Sequence, residues 1–221
     1  MELLNYLNTH FLSEQAILKE ANITFETLEH YQSLGIMPKA SYRLNVTLHC
    51  DSFFGSKDDT QHLRFYATGY VSWLKLVGAL FASSVMDPDM NHKDEVYAVF
   101  MVRYTQTINK LKGLGHTSNS PKINSGLHQH IEQEWIHFLD GTYGLCTLSG
   151  LPEDIAAKEF AIIEINELSL LGTLTVPQTV QLTRAVNLLD DASALFAPHE
   201  RERSTRQRLV NDMREKYQLS A

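Results

Sequence analysis

Apolar residues along this chain recur mostly at the three-and-four spacing of helices, with one short stretch where they alternate instead. Residues 2–10 and 13–21 carry short helical patterns, and Ser13, ahead of Ala16 and Ile17, is placed as an N-cap. Asn22-Ile23 makes a turn, and Thr24 caps a further helix spaced by Phe25, Leu28, Tyr31 and Leu34. Gly35 stops that helix as a C′ glycine, and Pro38 forbids its continuation. Over residues 42–49 the letters alternate, with Leu44, Val46 and Leu48 on one face, which predicts a strand. Residues 51–59 read as a loop around Gly55, and everything beyond reads as helix, at about 60–84, 92–112, 125–139, 152–168, 177–196 and 199–217. Pro152 and Pro177 sit where an N1 proline would sit. Leu182, Val186, Leu189, Ala192 and Phe196 form one stripe, the mark of a core-facing helix. Two stretches interrupt the helices: 112–126, a solvent loop rich in Gly, Ser and Asn, and 140–150, whose three glycines frame Tyr143 and Cys146 as a structured turn or a loop that closes over a ligand.

Composition narrows the class. A hydrophobic fraction of 43% with 20% charged residues is that of a globular protein with a sizeable core. The formal charge of −7 repels nucleic acid and anionic lipid on average, so any DNA contact needs a local basic patch. Cys50 and Cys146 have no CxxC partner and read as reduced thiols rather than a disulfide or zinc knuckle. The start Met1-Glu2-Leu3-Leu4 lacks a signal-peptide pattern, so a cytoplasmic setting without export is expected. The apolar stretch 65–85 carries Lys75, glycines and serines and predicts a buried helix, not a membrane span.

The run Thr27-Leu28-Glu29-His30-Tyr31-Gln32-Ser33-Leu34-Gly35-Ile36-Met37-Pro38 resembles the second helix and exit turn of MerR-type winged helix-turn-helix proteins, and Leu12, Ala16 and Ile23 stand at that family's apolar anchor positions. The resemblance implies a DNA-reading head over residues 12–43, with a strand or wing touching phosphate. Glu29 stands where the family places an arginine, and His30 where it places a tyrosine. Over residues 1–50, Lys19, Lys39 and Arg43 oppose Glu2, Glu14, Glu20, Glu26 and Glu29, for a net charge of −2. A DNA reader gains most of its affinity from a basic stripe, which this head has lost. Lys39, Tyr42 and Arg43, at the wing position, are the backbone-contact candidates, and Thr27 and His30 on the helix are candidates for nucleic-acid or partner contact. Further on, the run from Trp135 to Cys146, with Pro152 and Lys158-Glu159, resembles a family of uncharacterised bacterial proteins that join such a head to a helical body.

Candidate chemistry is sparse. His130, Glu134 and His137 fall on one helix face, and Glu134 to His137 has the E-x-x-H spacing of carboxylate-bridged metal bundles. No second copy of that spacing occurs, so surface or hydrogen-bonded side chains are expected, with no metal and no cofactor. Cys146 has no histidine placed beside it and reads as a half-buried structural thiol. Asp58-Asp59, Asp87-Asp89 and Asp190-Asp191 read as caps or solvated loop charges. No Walker A, G-x-G-x-x-G, G-x-S-x-G or H-E-x-x-H pattern is present. The C-terminal stretch 197–221 carries six cations against four carboxylates, a net charge of +2, and is expected to dock on an acidic face of its own body or of a second subunit, the alternative being that it supplies the phosphate contacts the head lacks.

These patterns together predict a mainly α protein: a small winged helix-turn-helix-like head at 1–50 and a multi-helix bundle body at 51–221 with a basic C-terminal helix. The expected function is non-catalytic interaction or regulation, with a protein partner or self-association and no membrane. The alternatives are a DNA-binding regulator with a helical sensing domain, and a metal-dependent enzyme built on His130, Glu134, His137 and the 140–150 loop.

Overall fold

The computed structural model describes residues 2–83 and 91–220, so the Asp87-Asp89 pair lies outside the described residues. The chain is mainly helical, with one small antiparallel sheet of three strands in the order β1-β3-β2. The N-terminal elements are α1 (Glu2–His10), β1 (Phe11–Ser13), α2 (Glu14–Ala21), α3 (Phe25–Ser33), β2 (Tyr42–Ser52) and β3 (Gly55–Ala67). Ser13 caps α2 by accepting from the Ala16 amide, and Thr24 caps α3 by accepting from the Thr27 amide, each at 3.2 Å. Gly35 follows the end of α3 at a φ of +66°, the left-handed geometry a C′ glycine supplies.

The 42–49 strand is present, but the expected loop at 51–59 and helix from 60 are not. β2 runs on to Ser52 and pairs with β3 along its whole length, leaving a turn of only Phe53 and Phe54. The reason lies in the root of this ribbon. Leu63 pairs with Leu44 and Phe65 with Tyr42, and all four side chains enter one apolar cluster with Phe11 and Ala197, so residues 60–67 gain more as a strand than as helix. The distal half of the ribbon projects into solvent, its Phe53 and Phe54 side chains exposed at the tip.

The body follows as α4 (Tyr70–Ser83), α5 (His92–Gly113), α6 (Leu127–Leu139), the short α7 (Thr142–Cys146), α8 (Pro152–Ser169), α9 (Val176–Ala192) and α10 (Asp212–Tyr217). Among the described residues no helix is long and apolar enough to cross a membrane. Helix α8 is central, with Ile155, Ala156, Ala157, Lys158 and Phe160 all buried, so no single face of it is polar. Helix α9 stops at Ala192, short of the expected 196, because the chain turns extended at Ser193 and bridges Thr147.

The expected C-terminal helix over 199–217 is broken instead into a 3-10 turn at Arg201–Arg203, a π turn at Gln207–Asn211 and α10. Ser204, in extended conformation, interrupts it, and its hydroxyl accepts from the Gln207 amide at 3.0 Å to start the next turn. This segment lies on its own body. Arg206 and Arg214 both reach the Asp190 carboxylate, the latter at 2.7 Å.

Head and body share one core. Ile17, Leu28, Ile36 and Met37 pack in the same cluster as Trp73, Phe100, Trp135 and Phe138. Polar contacts repeat that junction: the Trp73 indole donates to the Ile36 carbonyl and the Lys39 amide to the Leu139 carbonyl, each at 2.9 Å. The glycine-rich 140–150 segment closes on this junction. Gly141 has a φ of +84°, and a Cβ there would stand 2.7 Å from the Lys39 carbonyl oxygen, so only glycine lets the two backbones meet.

Candidate functional site

Two regions are candidates for function: the outer face of the head, and a set of largely buried polar side chains inside the body. On the head, α3 buries Leu28 and Tyr31 and turns Glu26, Glu29, His30 and Ser33 outward. Thr27 spends its side chain locally, 3.2 Å from the Thr24 hydroxyl, while His30 is exposed with its ring beside Tyr31 and Phe81. Tyr42 is turned inward, its hydroxyl donating to Glu200 at 2.6 Å. Burial is the first cause that holds this phenol protonated, and the Glu200 carboxylate adds to it.

Lys39, Arg43 and Arg64 line one surface hollow with Glu29, Gln32 and Tyr66. Lys39 is paired with Asp140 at 3.0 Å, and Arg64 with Glu14 at 3.1 Å and Glu29 at 4.0 Å. Carboxylates therefore engage two of the three cations in the hollow. The third, Arg43, is exposed in the same hollow, beside the acidic outer face of α3.

Inside the body, α6 carries His130 and Glu134 one turn apart on its buried stripe with Phe138, where hydrophobic residues would ordinarily sit. Helix α7 brings in Tyr143 and Cys146, α8 brings Lys158 and Glu159, and α5 brings Tyr104. The Tyr143 hydroxyl donates to Glu134 and lies 3.3 Å from Glu159. Lys158 lies 3.4 Å from Glu159 with its ammonium over the Tyr143 ring. One donor atom each from His130, Glu134 and Glu159 lie within 4.8 Å of one another.

Burial sets the electrostatics of this group. Desolvation, and after it the nearby Glu159 carboxylate, push the Glu134 carboxyl up to about 8, with Lys158 and Lys122 opposing. Desolvation also holds His130 below its ordinary value, which favours the neutral imidazole. The Cys146 thiol is raised by burial, with Lys158 drawing it back, so at neutral pH it is a protonated, structural thiol. Buried charges are costly unless they are compensated, and one ammonium against two carboxylates leaves room for a further positive charge, a proton or a cation.

The helix-face trio is thus only partly assembled. His130 and Glu134 meet, whereas His137 is exposed and faces the Tyr143 ring edge-on at 6.5 Å. Tyr143 and Cys146, singled out as loop residues, belong to a short helix inside the molecule and not to a lid over an open cleft. The missed member is Glu159. Its sequence signal is the charged pair Lys158-Glu159 inside the apolar run from Ile155 to Ile163, but periodicity on one helix cannot show which second helix it will face.

A second buried pair, His116 and Glu164 at 2.7 Å, serves the fold. Glu164 also accepts from the Thr117 amide at 3.1 Å and from Gln181 at 2.8 Å, and it anchors the exposed 112–126 segment to α8.

No curated protein and no solved structure matches the chain. A family model does match, over residues 96–218, a span that holds the whole buried cluster and leaves the head outside. By that match, over more than half its length, the chain belongs to the DUF6058 family, a family of unknown function.

Proposed function

We propose that this chain is a non-catalytic regulatory protein that binds a protein partner through a degenerate winged-helix head held fixed on a helical body. The element order α1-β1-α2-α3-β2-β3 with strand order β1-β3-β2 supports a winged-helix head, in which the β2-β3 ribbon is the wing and the head extends to about residue 67. The observation that carries the proposal is the character of the surface such a head presents. Its helix offers Glu26, Glu29 and His30, and its wing ends in Phe53 and Phe54, 97% and 95% exposed. An acidic helix repels phosphate, whereas a pair of exposed aromatic side chains on a projecting arm is the kind of anchor that fills a pocket on another protein.

The test is photo-crosslinking in the native host, with a photoreactive amino acid placed at Phe53 in one strain and at His128, on the exposed side of the body, in another. Discrete adducts from position 53 that disappear when Phe54→Asp is added, and that are absent from position 128, are expected. Adducts to nucleic acid, or none from position 53, would overturn the proposal.

A further inference from the structure

We infer that His130, Glu134 and Glu159 form a binding site for one divalent first-row transition-metal ion between α6 and α8. This is independent of how the head is used, since it rests on the body alone.

The geometry is the first support. An imidazole nitrogen and an oxygen from each of the two carboxylates, all within 4.8 Å of one another, can be bridged by an ion roughly 2.0–2.2 Å from each donor after small side-chain rotations. The second support is unsatisfied polarity. His130 is 4% exposed and neither ring nitrogen has a hydrogen-bond partner, although Nδ1 lies 3.2 Å from Glu134 Oε1. A buried imidazole without a partner is costly, and an ion that accepts its lone pair removes that cost. The Tyr104 hydroxyl, fully buried, likewise has no hydrogen-bond partner, and it lies in the field of the same two carboxylates.

The surroundings fit a metal centre. Tyr143 contacts both carboxylates and would orient them as an outer-shell donor does. Glu159 is half-buried, which leaves its side as the route of entry. One imidazole with two carboxylates suits zinc, iron or manganese, and the imidazole disfavours magnesium and calcium. Lys158, 3.4 Å from Glu159, holds part of the negative charge when no ion is bound.

The test uses the full chain, stripped with a chelator and titrated separately with zinc chloride and cobalt chloride. One equivalent of metal per chain is expected, with a rise in melting temperature and a cobalt absorption band in the visible. His130→Ala and Glu159→Gln should each weaken zinc binding by more than the roughly 10–100-fold that loss of an outer-shell partner costs. His137→Ala, on the exposed side of the same helix, should bind as the parent does. Absence of stoichiometric zinc or cobalt from the parent chain, which needs no variant to fold, would overturn the site and leave a proton shared between the carboxyls. Binding unchanged in both folded ligand variants would overturn it equally.

Discussion

Glu164 shows what a single side chain can hold together in this body. With its side chain 1% exposed, it joins His116, the Thr117 amide and Gln181, and thereby α8, α9 and the 112–126 segment. Glu164→Ala would leave a buried histidine and an amide without partners, and we expect a loss of about 3 kcal/mol in urea unfolding, with a smaller loss for Glu164→Gln, whose amide oxygen still accepts. Such pairings were hard to see in the sequence for a physical reason. His130 and Glu134 stand out because one helical turn places them on one face, but Glu159 and Glu164 take their partners from other helices, and no spacing along the chain encodes that. Local chemistry was legible where it is local: Ser13, Thr24 and Gly35 cap and stop helices as their types and positions imply.

The β2-β3 ribbon is the element that departs most from what its sequence suggests. Asp58-Asp59, Lys57 and Gly55 look like loop, and Thr60 to Ala67 runs directly into the apolar letters of α4, so the strand is hidden between two stronger signals. Its root is fixed by packing, and its tip by its own ladder and by side-chain bonds within the ribbon such as His49 with Asp58 and Ser56 with Asp51. Phe65 is 3% exposed in the cluster with Phe11 and Tyr42, so Phe65→Ala should cost about 3–5 kcal/mol. Phe54→Asp at the tip should change stability by less than about 0.5 kcal/mol. Chemical denaturation of the two variants checks both values, and a large loss from Phe54→Asp would mean that the tip packs back on the molecule. The body helices were easier to place, since α5, α6 and α8 each carry strong periodicity or clean proline punctuation, whereas the C-terminal run, rich in arginine, is shaped by what it docks on.

Seen whole, the N-terminal elements and the helical bundle are locked together by one core. The shared cluster from Ile17 and Leu28 to Trp73 and Phe138, the Trp73 to Ile36 hydrogen bond and the Gly141 contact with Lys39 couple the head's position to the body's packing. His130 and Glu134 sit on α6, whose last residue Leu139 and C-cap Asp140 hold Lys39 at that junction. On the proposed function, charge decides what the head can meet. The C-terminal Arg206 and Arg214 are paired with Asp190, and Lys39 and Arg64 with Asp140, Glu14 and Glu29. The most direct measurement is a fluorescence-anisotropy titration of the full chain against labelled duplexes covering its own upstream region, at low salt. No saturable binding is expected. Saturable binding with a steep salt dependence, lost on Lys39→Ala with Arg43→Ala, would contradict a protein-binding head and make the chain a DNA-binding regulator.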